Sequence, residues 1–257
     1  MSIKPQPAQP STGRHRRRVR LLLVLSTLAW APLGAADISF KAEGLKAPVF
    51  DAAGILIRRL TAASATGPLE STRLERGRIE FFAPGSAEHA TAVLDFDEAL
   101  YRKSDESIRG GGLIRLVDPQ GTVSGRGYEC WLDTGLLTLG ADVTFSSSTV
   151  HVTGRDGEIR FDPKTSGSTG SITSAVVTHA TVERTATAKA PFDRAETELA
   201  RYSAAQQKLF LKTPLILWKD GRKAVSEVAS GFYEIDLTEK PDMALLPPAA
   251  TNAPPRP

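Results

Sequence analysis

Few residues of this 257-residue chain have the types and spacing that chemistry requires. Cys130 is the one cysteine, so the chain can form neither an intramolecular disulfide nor a multi-cysteine metal site. No histidine lies near it in sequence, which predicts a buried, unreactive thiol rather than a nucleophile. The histidines lack the spacing of metal ligands, so we predict no metal site. They are His15, His89, His151 and His179.

The paired acids Asp95 and Asp97 could in principle do acid–base work. On an alternating strand both point away from Leu94 and Phe96, so we expect solvated charges instead. The run Gly110-Gly-Gly112 lacks the Lys-Ser/Thr of a phosphate loop and predicts a bulge or a close backbone approach. We find no set of residues that would carry catalysis, and we predict neither an enzyme nor a cofactor.

The neighbouring arginines Arg58 and Arg59 allow two interpretations. They could contact the phosphate groups of a ligand. Alternatively, one is an exposed charge and the other extends its aliphatic stem over an edge of the fold.

Composition excludes some classes of protein. Hydrophobic residues make up 41% and charged residues 24%, which is typical of a globular chain. The formal net charge is +3, but residues 1–36 hold six basic residues and no acidic one. Without them, 26 basic residues face 29 acidic ones, a net charge of −3. No basic surplus remains for nucleic-acid binding, and we predict no such partner.

Both ends of the chain differ from its centre. Basic residues between Arg14 and Arg20 precede an apolar run of 16 residues that contains Pro32 and ends in Gly34-Ala-Ala36. This is the pattern of a secretory signal peptide over residues 1–36, and it predicts an exported, periplasmic protein. The alternative is an uncleaved inner-membrane anchor, although a span needs about 20 apolar residues. The proline-rich segment 239–257 is predicted to be disordered.

The intervening region indicates β-structure throughout. The clearest alternation runs from Leu137 to Phe145, with shorter or less regular cases at 92–97 and 208–217. Tight-turn signals separate such runs, as at Asp118-Pro-Gln-Gly121. Long strands joined by tight turns predict an antiparallel meander, a folded-over sheet or a jelly roll. Segment 192–208 is rich in helix formers, but we predict a strand there because of an internal repeat.

That repeat relates two stretches of the chain. Glu98-Ala-Leu-Tyr101 leads through an apolar run and a glycine turn to Gly127–Asp133. About one hundred residues later, Leu199-Ala-Arg-Tyr202 leads through the same succession to Gly231–Asp236, which suggests stacked β units with one shared core.

These residues resemble the lipopolysaccharide-export proteins of the LptC and LptA (OstA-like) families. The LptC-like pattern covers residues 40–147, and an OstA/LptA-like unit covers 148–238. Its landmarks in the first unit are Phe50–Ala62, Glu98–Tyr101, Ile108–Gly110, Gly121–Gly125 and Leu137–Phe145. Those in the second unit are Ala200–Tyr202, Leu209–Leu211 and Asp220–Gly221. An LptC-type and an LptA-type role both stay open.

The resemblance implies an all-β protein, an antiparallel β-jelly roll made of an open, folded-over sheet of two OstA-like units. It also implies that lipopolysaccharide acyl chains lie in the interior. The implied partners are other jelly-roll proteins, bound by edge-strand pairing, and an inner-membrane transporter complex. The candidate trough lining is drawn from the alternating faces. It comprises Leu94, Phe96, Leu137, Leu139, Val143, Phe145, Leu209, Leu211 and Leu215. The alternative is a non-catalytic envelope protein that pairs partners through its β edges without binding lipid, its aliphatic faces being ordinary core.

Overall fold

The structure is a computed structural model. It describes residues 39–83, 89–162, 172–184, 192–225 and 231–237. The predicted signal peptide, residues 1–36, and the predicted disordered tail, residues 239–257, lie outside the described residues.

Every regular element of the described residues is a β-strand, which confirms the prediction of an all-β protein. Long strands form the first half of the sheet, and shorter ones join them after β7. The strands are β1 (Ser39–Phe50), β2 (Leu56–Pro68), β3 (Ser71–Phe82), β4 (Ala90–Arg102), β5 (Ser107–Asp118), β6 (Gly121–Trp131), β7 (Leu136–Ser146), β8 (Val150–Gly154), β9 (Gly157–Phe161), β10 (Ile172–Arg184), β11 (Arg194–Ser203), β12 (Lys208–Lys212), β13 (Leu215–Lys219), β14 (Arg222–Val225) and β15 (Phe232–Asp236).

The strands form one antiparallel sheet in which chain neighbours are also spatial neighbours from β1 to β8. Strands β8 and β9 both lie between β7 and β10, so they are two pieces of one interrupted strand. Strands β12 and β13 likewise both pair with β11. Segment 192–208 is rich in helix-forming residues, yet it forms β11 and the turn after it. The prediction from the repeat is therefore confirmed.

A line of irregularities crosses the sheet near the middle of its long strands. In β4, Leu94 and Phe96 are buried, Asp97 and Glu98 are both exposed, and Ala99 is buried again. Buried positions shift by one residue in the same way in β2, β3, β6, β10 and β11, and the less exposed positions of β1 do so too. Several residues on this line have positive φ, namely Gly44, Arg76, Gly127, Asp142 and His179. Such bulges bend strands, and a continuous row of them bends the whole sheet.

The sheet folds over along this line, so that its inner face packs on itself. The Phe81 ring of β3 meets the Phe161 ring of β9 edge-on, with 5.3 Å between ring centroids. Phe145 of β7 lies 5.0 Å from Tyr202 of β11. Neither pair belongs to hydrogen-bonded neighbours in the sheet. One hydrophobic core therefore fills the space between two layers of the same sheet, which confirms the predicted folded-over, jelly-roll-like fold.

The two copies of the repeat occupy equivalent places in this sheet. Ala99 and Tyr101 end β4 before a turn at 103–106, and Ala200 and Tyr202 end β11 before a turn at 204–207. The sheet continues between the two copies through β7, β8 and β10 without a break in hydrogen-bonded pairing.

Candidate functional site

The nine residues predicted to line a trough all lie in the one core between the layers. Each is at most 4% exposed. Leu94 and Phe96 are on β4, and four more lie along β7 between Leu137 and Phe145. Leu209 and Leu211 are on β12, and Leu215 is on β13. The structure thus brings all nine together, packed against other side chains of the core.

Phe210 is a shielded aromatic side chain on the outer face of the sheet. It lies outside the core cluster that holds Leu209 and Leu211, yet it is only 7% exposed. The guanidinium of Arg201 lies 4.8 Å above its ring and covers it, so an outward aromatic side chain is still shielded from water.

The interior opens at the β1 end of the sheet, in a cavity of about 250 Å³. Its walls are β1, β2, β3 and the end of β4, together with the turns that follow β2, β4 and β6. The lining is mostly apolar. It consists of Phe40, Leu45, Ala47, Val49, Arg58, Leu60, Leu69, Thr72, Leu74, Ile79, Tyr101, Lys103 and Leu132.

The position of β1 explains why the core is open here. Among the described residues, β1 pairs only with β2 and so forms an edge of the sheet. Phe40, Leu45 and Leu60 are partly buried against the core, whereas the apolar side chains deeper in it, such as Leu94 and Leu116, are fully buried. The cavity is therefore the solvent-reaching end of the same hydrophobic interior.

A buried arginine lines this apolar cavity. Arg58 is 7% exposed, and its Nη2 donates to Oε2 of Glu106 in the turn after β4. Its Nη1 is also buried and has no hydrogen-bond partner. Arg59 instead bonds Glu80 at 3.1 Å and lies 5.0 Å above the Phe82 ring. Of this pair, Arg58 therefore lines the cavity, and Arg59 forms a more exposed ion pair beside an aromatic ring.

Three further polar side chains line the cavity. Lys103 is paired with Glu70 across 3.3 Å, and both side chains are substantially exposed. Burial is the main cause that raises the pKa of Tyr101, and the nearby Glu106 carboxylate adds to it. Tyr101 therefore carries its proton at neutral pH and can donate a hydrogen bond. The Thr72 hydroxyl already donates to the Pro68 carbonyl at 3.0 Å.

Sequence reasoning did not predict this cavity. On β1 the inward-facing side chains change phase. They are Phe40 and Ala42 in its first part, and Leu45, Ala47 and Val49, which line the cavity, in its second part. The change of phase falls at Glu43-Gly44, where the sheet bends. A search for alternation that allows one shift at an acidic-glycine pair would have found this strand.

The other residues with chemical potential have structural roles. Asp95 forms an exposed bidentate pair with Arg78, at 2.6 and 3.1 Å, and Asp97 is exposed, as expected for solvated charges. The Gly110–Gly112 run lies where the pairing of β5 with β6 shifts register, which confirms the predicted bulge.

Cys130 is fully buried, and burial raises the pKa of its thiol. We expect iodoacetamide to label the native protein at least about a hundredfold more slowly than the urea-unfolded chain, because the thiolate is scarce and shielded. Mass spectrometry of timed samples measures both rates. Rapid labelling under native conditions would contradict the buried placement of this thiol.

Among the described residues, no three His, Cys, Asp or Glu side chains are grouped as metal ligands would be. No helix long and apolar enough to cross a membrane occurs in the part of the chain that the structure describes. No protein-family model matches the chain, and no curated protein sequence matches it significantly.

Proposed function

We propose that this protein is a periplasmic lipid-binding scaffold of the lipopolysaccharide transport bridge. In this role it carries lipopolysaccharide acyl chains in its aliphatic interior between the inner and outer membranes. One observation carries the proposal: the hydrophobic core of the folded sheet is continuous and opens at one end into an apolar cavity. The resemblance of the sequence to the LptC and LptA families supports the same role.

The chemistry of the interior suits an acyl chain. Such a chain needs a dry, aliphatic surface, and alternating strands supply one on the inner face of the sheet. Aromatic residues make up only 7% of the chain, fewer than stacking on sugar rings would require. Transfer along such a surface involves no bond chemistry and no cofactor. The energy would come from an inner-membrane transporter complex.

The two ends of the sheet supply the proposed partner surfaces. Within the described residues, β1 pairs only with β2, and β15 pairs only with β12. Unpaired edges bind further strands through their backbone groups. Other jelly-roll proteins of the bridge would dock there, and the edges are compatible with an LptC-type or an LptA-type role.

A second function is favoured by the packing of the core. The nine predicted lining residues are tightly buried, and none of them lines the cavity at the β1 end. An envelope protein that joins partners through its edges would need no more space than this. Lipid in the interior distinguishes the two functions.

In-cell photocrosslinking tests the proposal. A photoreactive residue replaces Leu45, whose side chain lines the cavity, and the control places it at Lys46, the exposed neighbour on the opposite face. We expect a lipopolysaccharide adduct at position 45 and none at 46. An exported, folded protein that gives no adduct at position 45 would favour the edge-pairing scaffold instead.

A further inference from the structure

We infer that the cavity at the β1 end is a subsite for one alkyl chain with an anionic head group, whose oxygen accepts a hydrogen bond from the buried guanidinium of Arg58. The inference rests on the proposed function in taking the interior as a lipid path. It goes further by naming the head-group charge, the number of chains and the residue that selects them.

The size of the cavity limits the ligand. Its volume of about 250 Å³ is slightly below the 300–1,000 Å³ or so of pockets that enclose drug-sized molecules. A single alkyl chain fits such a space, whereas a lipid with several chains does not fit as a whole. The apolar side chains of β1 and β2 supply the contact surface that an alkyl chain needs.

The polar groups of the lining determine the head group. Arg58 and Lys103 line the cavity, while their carboxylate partners Glu106 and Glu70 are not part of the lining. Nη1 of Arg58 is buried without an acceptor, and leaving a buried, charged donor unsatisfied is unfavourable. A carboxylate or phosphate oxygen would supply that acceptor and form a charge-assisted bond.

Two neighbours can assist without opposing the anion. The exposed Lys103–Glu70 pair contributes little to stability, so Lys103 can turn toward a ligand at little cost. Tyr101, which keeps its proton at neutral pH, offers a neutral donor. The Glu106 carboxylate stays bonded to the other guanidinium nitrogen and keeps Arg58 in position.

Three probes with one chain length test the head-group preference: decanoate, decan-1-ol and decyltrimethylammonium. Binding to the full chain is measured by displacement of a fluorescent fatty acid at concentrations below micelle formation. We expect decanoate to bind at least about tenfold more tightly than decanol, in line with a charge-assisted hydrogen bond. The cationic probe should bind most weakly. Equal binding of decanoate and decanol would overturn the inference.

Variants assign the preference to Arg58. The double variant Arg58→Met/Glu106→Gln removes both members of the ion pair, which avoids leaving a charge without its partner. We expect it to bind decanoate and decanol equally. Arg58→Lys keeps the charge at this position and should retain part of the preference, which also covers a failure of the double variant to fold. A preference unchanged in both variants would contradict the assignment.

Blocking the cavity tests whether the alkyl chain of decanoate binds there. Ala47 lines the cavity and Lys46 is exposed beside it, so Ala47→Trp fills the space while Lys46→Trp is its matched control. We expect the first variant to weaken decanoate binding at least about tenfold and the second to leave it unchanged. Equal effects of the two variants on decanoate binding would show that the alkyl chain binds outside this cavity.

Competition between lipopolysaccharide and decanoate identifies the molecule that supplies the alkyl chain. If purified lipopolysaccharide displaces decanoate, the subsite takes one chain of a larger anionic lipid. Without displacement, its ligand is a free single-chain acid. A lipopolysaccharide adduct at position 45 without any decanoate binding would contradict the subsite inference and support the proposed function. Arg58-dependent decanoate binding without an adduct would contradict the lipopolysaccharide role and support the subsite.

Discussion

Replacing Phe81 by alanine is expected to lower the free energy of unfolding by about 3–5 kcal/mol. Its side chain is completely buried, and it meets Phe161 from the opposite layer of the folded sheet. The substitution therefore removes apolar burial and also leaves a cavity at the contact between the layers. Urea unfolding followed by tryptophan fluorescence measures the change.

The matched control is Phe232→Ala on β15. This ring is 50% exposed, and its contact in the structure is with the Arg201 guanidinium at 5.5 Å. We expect a loss of less than about 1 kcal/mol, because little apolar surface is removed from a packed environment. Similar losses for the two variants would contradict the two-layer packing on which the interior depends.

The second large effect is expected at the glycine bulge of β5, where Gly110→Ala should destabilise by about 1–3 kcal/mol or more. A β-carbon at Gly110 would clash with the Glu98 carbonyl oxygen and lie 2.7 Å from the Tyr128 hydroxyl oxygen. That hydroxyl donates to the same carbonyl at 2.6 Å, so the added methyl group would also disrupt a hydrogen bond between β6 and β4.

The adjacent glycine provides the control. A β-carbon at Gly111 would meet no atom within 4 Å, and φ at this residue is not in the left-handed region. We expect Gly111→Ala to be neutral or to stabilise by up to about 1 kcal/mol, since alanine restricts the unfolded chain. The same urea titrations compare the two variants. A Gly110→Ala protein as stable as Gly111→Ala would contradict the close approach of backbone and side chain at the bulge.

Phe81 and Gly110 are both relevant to function because both contribute to the folding-over of the sheet. The line of bulges that includes Gly110 bends each long strand, and the bend brings rings such as Phe81 and Phe161 together. Packing of the layers leaves the apolar cavity at the β1 edge. A variant that loosens the fold line would therefore be expected to change the volume available to a lipid chain as well as stability.

Local pattern predicted the all-β class and the regular strands, such as β7. From Leu137 to Phe145 the apolar side chains alternate without interruption, and β7 buries that face. In segment 192–208, helix propensity and the repeat disagreed, and the repeat was the better guide. Propensity differences are small compared with the burial that a strand gains inside a sheet.

The burial of Arg58 could not be predicted in the same way. Its neighbour Arg59 has the same chemistry and lies one position along the same strand, yet it forms a partly exposed pair with Glu80. Which arginine is buried depends on the face of β2 that turns inward and on Glu106, which is 48 residues distant in sequence. Such a contact exists only after the sheet has folded over.

By itself, the sequence determined that the chain is an antiparallel all-β protein with tight turns, a bulge at Gly110–Gly112 and a buried, isolated Cys130. These features depend on side-chain period and on the conformational limits of neighbouring residues, which are local properties. Only the tertiary structure decided that the nine alternating residues are packed core and that the open cavity lies at β1 beside Arg58. The reason is that an alternating strand shows which side chains share a face, but free space in that face depends on what the opposite layer places against it.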